Sequence, residues 1–173
     1  VWAKLDGVVH GFLVERGFEG FATPQTHGKL SLRASITGEI TLQDVFVPDA
    51  NLLPGVKGLK GPLGCLNQAR YGIAWGVLGS AMECYVTALQ YAQSRIQFDK
   101  PIAAYQMTQE KLVWMLNEIT KGQLMVYRLG RMKDDGTIKH THISMAKRNN
   151  CEIALTICRM AREVLGANGI LDE

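Results

Sequence analysis

The sequence predicts an α+β protein in which part of an antiparallel β domain is followed by an α-helical bundle. Three features predict it. Residues 1 to about 50 combine Val, Ile, Leu, Thr and Phe with frequent glycines. From about residue 65 the apolar spacing changes to steps of three and four. No strand–helix–strand rhythm links the halves, so the β part reads as antiparallel and segregated from the helices.

In chain order, the segments "VVHGFLVE" and "GEITLQDVFVP" read as strands, and Gly7, Gly11, Gly17, Gly20, Gly28 and Gly38 as turns or bulges. Pro48 ends the last strand because it cannot donate to a ladder. "NLLPGVKGLKGPLG" follows, with glycines at 55, 58, 61 and 64. It reads either as a flexible linker or as a loop whose bare backbone lets a ligand approach. It lacks the GK[ST] of a phosphate loop. A first helix is predicted on Leu66, Ala69, Ile73, Val77, Ala81, Cys84, Ala88 and Ala92. A second runs on Leu112, Met115, Leu116, Ile119, Val126 and Leu129 and is broken by "KDDGT". A third carries Ile143, Ala146, Ile153, Ala154, Ile157, Ala161 and Leu165, with Gly166 as its stop and Asn168-Gly169 as a turn. Long helices with short connections imply an antiparallel bundle.

Composition narrows the function. Of 173 residues, 47% are hydrophobic and 20% charged, which is globular. Nineteen basic residues are scattered among sixteen acidic ones, so no nucleic-acid stripe is expected. No apolar run of the roughly 20 residues of a membrane span is read from the sequence, and no signal peptide at VWAKLDG. Both ends look cut, and a fragment of a longer protein is expected. Cys65, Cys84, Cys151 and Cys158 lack a CxxC pairing and are expected as buried, reduced thiols. With His10, His27, His140 and His142 and no HExxH, no metal site is expected; His140 and His142 read as a solvated loop pair.

Three places could carry chemistry. Asn67, Gln68, Arg70 and Tyr71 put polar groups into an otherwise apolar helix, as a solvated face or as a site for a polar, anionic ligand. "RIQFDKPIAAYQ", residues 95–106, joins two helices with a guanidinium, a ring and an amide. Arg95 suits a helix end in any case, Phe98 and Pro101 could pack the turn, and Gln106 could simply begin the next helix. "EVLGANG", residues 163–169, is no dinucleotide fingerprint; it is a glycine-terminated helix or a segment presenting backbone N–H groups to a ligand.

"KLSLRASITGEITLQDVFVP", the glycine-rich segment, "LNQARYGIAWGVLGSAMECYVTALQYAQSRIQFDKPIAAYQ" and "LGANG", in this order and spacing, resemble the acyl-CoA dehydrogenase family over essentially all 173 residues. "CLNQARYGIAWGVLG" and "KRNNC" resemble its glutaryl-CoA members in particular. The resemblance implies a chain truncated at both ends. Residues 1–57 would be the C-terminal part of a middle β domain, and 58–173 an incomplete C-terminal helical bundle.

The resemblance further implies FAD at a subunit interface of a homotetramer. Arg95 would meet the FAD pyrophosphate of a neighbouring subunit, Gln106 would make a further contact, and Phe98 would lie close to the cofactor. Glu163, Val164, Leu165, Gly166 and Ala167 would meet its adenosine-diphosphate part. Leu63, Gly64, Cys65, Leu66, Asn67, Gln68, Ala69 and Arg70 would form the acyl-CoA-binding segment. Two departures stand out: the family commonly has Gly at Ala167 and often Gln at Glu163. The implied reaction is oxidation and decarboxylation of glutaryl-CoA, with electrons passing to electron-transfer flavoprotein. The alternatives are another short-chain acyl-CoA, or a non-catalytic helical module. The implied catalytic glutamate lies beyond this chain, and Glu173 is too close to the LGANG segment to be it. No catalytic residue is therefore expected here, and the chain alone is expected to be inactive. The expected location is cytoplasmic in a bacterium and the mitochondrial matrix in a eukaryote.

Overall fold

The structure is a computed structural model that describes residues 1–171; Glu173 lies outside the described residues. The chain divides into two compact units, Val1–Cys65 and a second from Leu66 onward.

In the first unit, β1 (Trp2–Leu5) pairs antiparallel with β2 (Val8–Gly11), with Trp2 opposite Gly11 and Leu5 opposite Val8. The Asp6-Gly7 turn makes this hairpin, since both residues take positive φ. A second antiparallel pair joins β3 (Phe21–Ala22) to β4 (Thr41–Leu42). Gly20, just before β3, has φ +79°, and a Cβ there would collide with the Gln43 carbonyl oxygen. Asn51 closes the unit: its Nδ2 donates to the Leu13 carbonyl at 2.9 Å. The strand expected over "GEITLQDVFVP" shrinks to Thr41–Leu42, and Ile40 and Phe46 are exposed. β-forming residues need a packed face to hold a ladder, and within this unit these side chains have none.

The second unit is helical. α1 (Lys60–Ser94) is 35 residues long and starts inside the glycine-rich segment, so the expected linker is in part helix. Pro62 sits in its first turn, where a missing N–H costs nothing. α2 (Gln106–Asp134) and α3 (His140–Leu165) follow. α2 buries Leu112, Met115, Ile119, Gly122, Val126 and Leu129 in strict alternation of three and four. α3 buries Ile143, Ala146, Asn150, Ile153, Ala154, Ile157 and Ala161, mostly in steps of three and four, with Ile153 and Ala154 adjacent. This narrow seam is the pattern of bundle packing. The helices run antiparallel: Lys133 near the end of α2 hydrogen-bonds Gln68 near the start of α1, and Lys111 near the start of α2 pairs with Glu163 at the end of α3.

α1 faces the bundle mainly with alanines: Ala74, Leu78, Ala81, Ala88 and Ala92. The stripe expected from Leu66 and Ile73 lies outside, at 54% and 47% exposure. The later part of the expected stripe holds: Ala81, Ala88 and Ala92 are buried, and Val77 and Cys84 pack against their core. By length and composition α1 could also cross a membrane, which corrects the expectation that no such stretch exists. Its buried alanines belong to the two cores it forms with α2 and α3.

Where α1, α2 and α3 meet, Asn150 is fully buried and its Nδ2 donates to the Ala74 carbonyl at 2.8 Å. Gly122 lies beside it; a Cβ there would come within 2.8 Å of Leu78 and 3.2 Å of the Asn150 Oδ1.

α3 ends as expected at Gly166, whose φ is +59°, and a short 3-10 turn, Gly166–Ile170, follows. His140 and His142 are not a loop pair. They open α3, and His142 Nδ1 accepts the Lys139 backbone N–H at 3.1 Å, capping the helix. The cysteines are less buried than expected: Cys65 is exposed, and Cys84, Cys151 and Cys158 are partly buried.

Candidate functional site

The opening of residues 95–106 is a small hairpin rather than an irregular loop. β5 (Ile96–Gln97) pairs antiparallel with β6 (Lys100–Pro101). Its two-residue turn is Phe98-Asp99, both at positive φ. A phenylalanine pays strain in that conformation, and its ring gains no packing in return, since Phe98 is 89% exposed. The expectation that Phe98 packs the turn is therefore overturned. The hairpin is anchored from below. Tyr105 Oη donates to the Gln97 carbonyl at 2.9 Å, Lys100 Nζ lies 4.3 Å from the centre of the Tyr105 ring, and the Ile102 N–H donates to the Arg95 carbonyl at 2.9 Å.

Arg95 follows the last residue of α1, and its N–H donates to the Tyr91 carbonyl at 2.8 Å. Beside it the chain returns through the end of α3. A cleft of about 270 Å³ opens between them, lined by Tyr91, Arg95, Gln97, Ile102 and residues 164–168. Arg95, Val164, Leu165, Gly166 and Ala167, expected to act together from separate stretches of sequence, line this one cleft. Among the described residues no carboxylate lines it, and Arg95 has no ion-pair partner. An unpaired guanidinium beside a positive-φ glycine turn suits an anionic group with several oxygens. Ala167 is exposed, so its methyl displaces nothing.

Two expected cofactor residues stand apart. Gln106 opens α2, is exposed and does not line this cleft. Glu163 lines a neighbouring cleft with Arg159, Arg162 and Gly166. Its carboxylate meets Lys111 Nζ at 2.7 Å, so the acid is balanced by a cation from α2. Sequence reasoning missed Tyr91, Gln97, Ile102 and Asn168 as lining residues and Lys111 as that partner. Tyr91 was within reach: it stands one helical turn before Arg95.

The segment Leu63, Gly64, Cys65, Leu66, Asn67, Gln68, Ala69 and Arg70 forms the early turns of α1. Gln68 is engaged with Lys133, whose Nζ lies 5.0 Å from the centre of the Tyr71 ring. That part of the polar cluster ties α1 to α2, whereas Arg70 makes no ion pair among the described residues. Arg70 and Arg95 are 25 positions apart on and just past one helix, or about 37 Å at 1.5 Å per residue. Within one chain they do not form a single site.

On the opposite side of the 166–170 turn, Cys84 and Cys158 place their sulfurs 3.5 Å apart between α1 and α3. Burial, reinforced by the hydrogen bond with Cys158, pushes the Cys84 thiol up to about 11.

Residues 57–173 match the model of the acyl-CoA dehydrogenase C-terminal domain. A glutaryl-CoA dehydrogenase of Desulfococcus multivorans is 36% identical over 166 residues, covering 94% of this chain and 42% of that protein. A mitochondrial isovaleryl-CoA dehydrogenase of Solanum tuberosum is 31% identical over 179 residues, covering all of this chain and 43% of that protein. A crystal structure of a glutaryl-CoA dehydrogenase from Mycobacterium smegmatis in complex with FADH2 superposes with a TM-score of 0.96 at 46% identity, covering 100% of this chain and 45% of that one. This chain thus spans less than half the length of the relatives it matches.

Proposed function

The chain belongs to the acyl-CoA dehydrogenase family, and from that premise we propose that it is part of a flavin-dependent dehydrogenase that oxidises and decarboxylates glutaryl-CoA to crotonyl-CoA and CO2. The observation that carries the flavin part is the cleft that joins Arg95 to residues 164–167. Its guanidinium, without an ion-pair partner among the described residues, its glycine turn and the absence of carboxylates from its described lining fit the pyrophosphate of FAD. Bound there, FAD supplies the acceptor for the substrate hydride. The residues of this chain hold and orient it. Arg95 offers a rigid fork of donors, and the turn after α3 offers backbone close to the same group. Glu163 stays neutralised by Lys111, so it adds little repulsion toward an anion. Phe98, exposed on its strained turn, is available to a ring brought by the cofactor or by a second subunit.

The assignment to glutaryl-CoA rests on the 46% identity to the mycobacterial glutaryl-CoA dehydrogenase. The 31% match to an isovaleryl-CoA dehydrogenase across the whole chain supports a second reading, a branched short-chain acyl-CoA. In both readings residues 63–70 contact acyl-CoA, Gln106 makes a further FAD contact, the protein is a homotetramer, and electrons pass to electron-transfer flavoprotein. The family resemblance assigns no catalytic base within this chain, so the chain by itself is not expected to turn over.

The test is to express the full-length protein, record its flavin absorption, and supply glutaryl-CoA or isovaleryl-CoA with an electron acceptor. Crotonyl-CoA with stoichiometric CO2 is expected. Faster turnover of isovaleryl-CoA without CO2 would replace the first reading by the second. A full-length protein that takes up no flavin would overturn both.

A further inference from the structure

We propose that Tyr91 is a further ligand-binding residue of the Arg95 cleft, donating its phenolic proton to the anionic group that Arg95 holds, and that Asn168 is the positioning residue that aims it. The inference rests on the reading of this cleft as a site for the pyrophosphate of FAD. Tyr91 precedes Arg95 by four residues, so the two side chains leave the same face of the helix end. Both line the cleft. From the other wall, Asn168 Nδ2 donates to Tyr91 Oη at 3.1 Å.

A phenol has one proton to give and lone pairs to accept with. The amide of Asn168 uses the accepting side. Among the described residues the Tyr91 hydroxyl donates no hydrogen bond, so its proton is unspent in a cleft that also holds an unpaired guanidinium. Accepting a hydrogen bond polarises an O–H and makes it a better donor. Donation to a phosphate oxygen is charge-assisted, which is the stronger class of hydrogen bond. Asn168 is itself held, because it lies within the Gly166–Ile170 turn, which Arg162 Nε ties back at the Gly169 carbonyl at 3.3 Å. The contact therefore does two things. It aims the phenol, and it fastens the turn against the end of α1.

The experiment uses the full-length protein stripped of flavin and titrated with FAD, and separately with ADP as a competitor that carries the pyrophosphate without the flavin. Y91F is expected to weaken FAD about tenfold and ADP by the same factor, the loss of one charge-assisted hydrogen bond. N168A is expected to weaken both about threefold, and Y91F/N168A to bind no more weakly than Y91F, because the amide acts through the hydroxyl. Unchanged FAD and ADP binding by Y91F would overturn the role of Tyr91. A double variant whose losses add would overturn the positioning role of Asn168. Should Y91F fail to fold, N168A carries the test, and wild-type affinity for both ligands would sink the proposal. A wild-type protein that binds no FAD fails differently: it removes the cofactor reading itself.

Discussion

At the scale of single residues, Arg95 is the most consequential side chain of the site. Among the described residues its charge has no ion-pair partner, and its backbone is fixed on both sides, by Tyr91 and by Ile102. Replacing it by Met in the full-length protein should weaken FAD about 10- to 100-fold, the worth of a hydrogen bond to a charged group. Lys at this position should recover only part of that, since it keeps the charge and loses the fork. Flavin titration of the two variants checks both statements. Cys84 makes a second residue-scale prediction. Its thiol titrates at about 11 in the folded chain, against an ordinary value of 9.0. Folding thus favours the neutral thiol. The stabilisation is fully present below pH 9 and is lost as pH rises through about 11. The unfolding midpoint of C84S should accordingly fall less than that of the wild type over that interval. Equal falls in thermal melts would refute the coupling.

Among the elements, the crossing of α1, α2 and α3 is the most sensitive point. Gly122 lets α2 approach Leu78 of α1 and Asn150 of α3, and Asn150 spends its amide on the Ala74 carbonyl. N150A removes that bond and leaves a cavity, and should cost about 2 kcal/mol in denaturant unfolding. A change below about 0.5 kcal/mol would mean that the amide is not a structural tie. The hairpin after α1 is the opposite case. It buries little, and its strained Phe98 is better explained by what the ring meets beyond this chain than by the fold of the hairpin.

For the molecule as a whole, the helices carry apolar side chains that are exposed among the described residues: Trp75, Met82, Leu124, Tyr127 and Leu155. A bundle with so much apolar surface is expected to associate in solution. The 173-residue chain, produced alone, should therefore sediment above its monomer mass and bind a hydrophobic dye, and it should not dehydrogenate glutaryl-CoA. A monomer with low dye binding would show that these faces need no cover. Turnover would place a base in this chain.

The sequence by itself determined the class of fold, the three helices and their stops, because a seam of three and four in α2 and α3 admits one buried face. Spacing left Arg95 and residues 163–167 as separate candidates, and only the resemblance to the acyl-CoA dehydrogenase family joined them as expected cofactor residues. The sequence did not foresee that the α1 stripe would come to the surface at its start, where Leu66 and Ile73 are exposed, nor that most of "GEITLQDVFVP" would lie outside strands. Only the tertiary structure decided those, along with the pairing of Glu163 with Lys111, the contact of Cys84 with Cys158, and the meeting of Asn168 with Tyr91. Each joins residues 52 to 77 positions apart. Local periodicity says which side of a helix is apolar, but only the packing of one helix on another says which side chains come within reach.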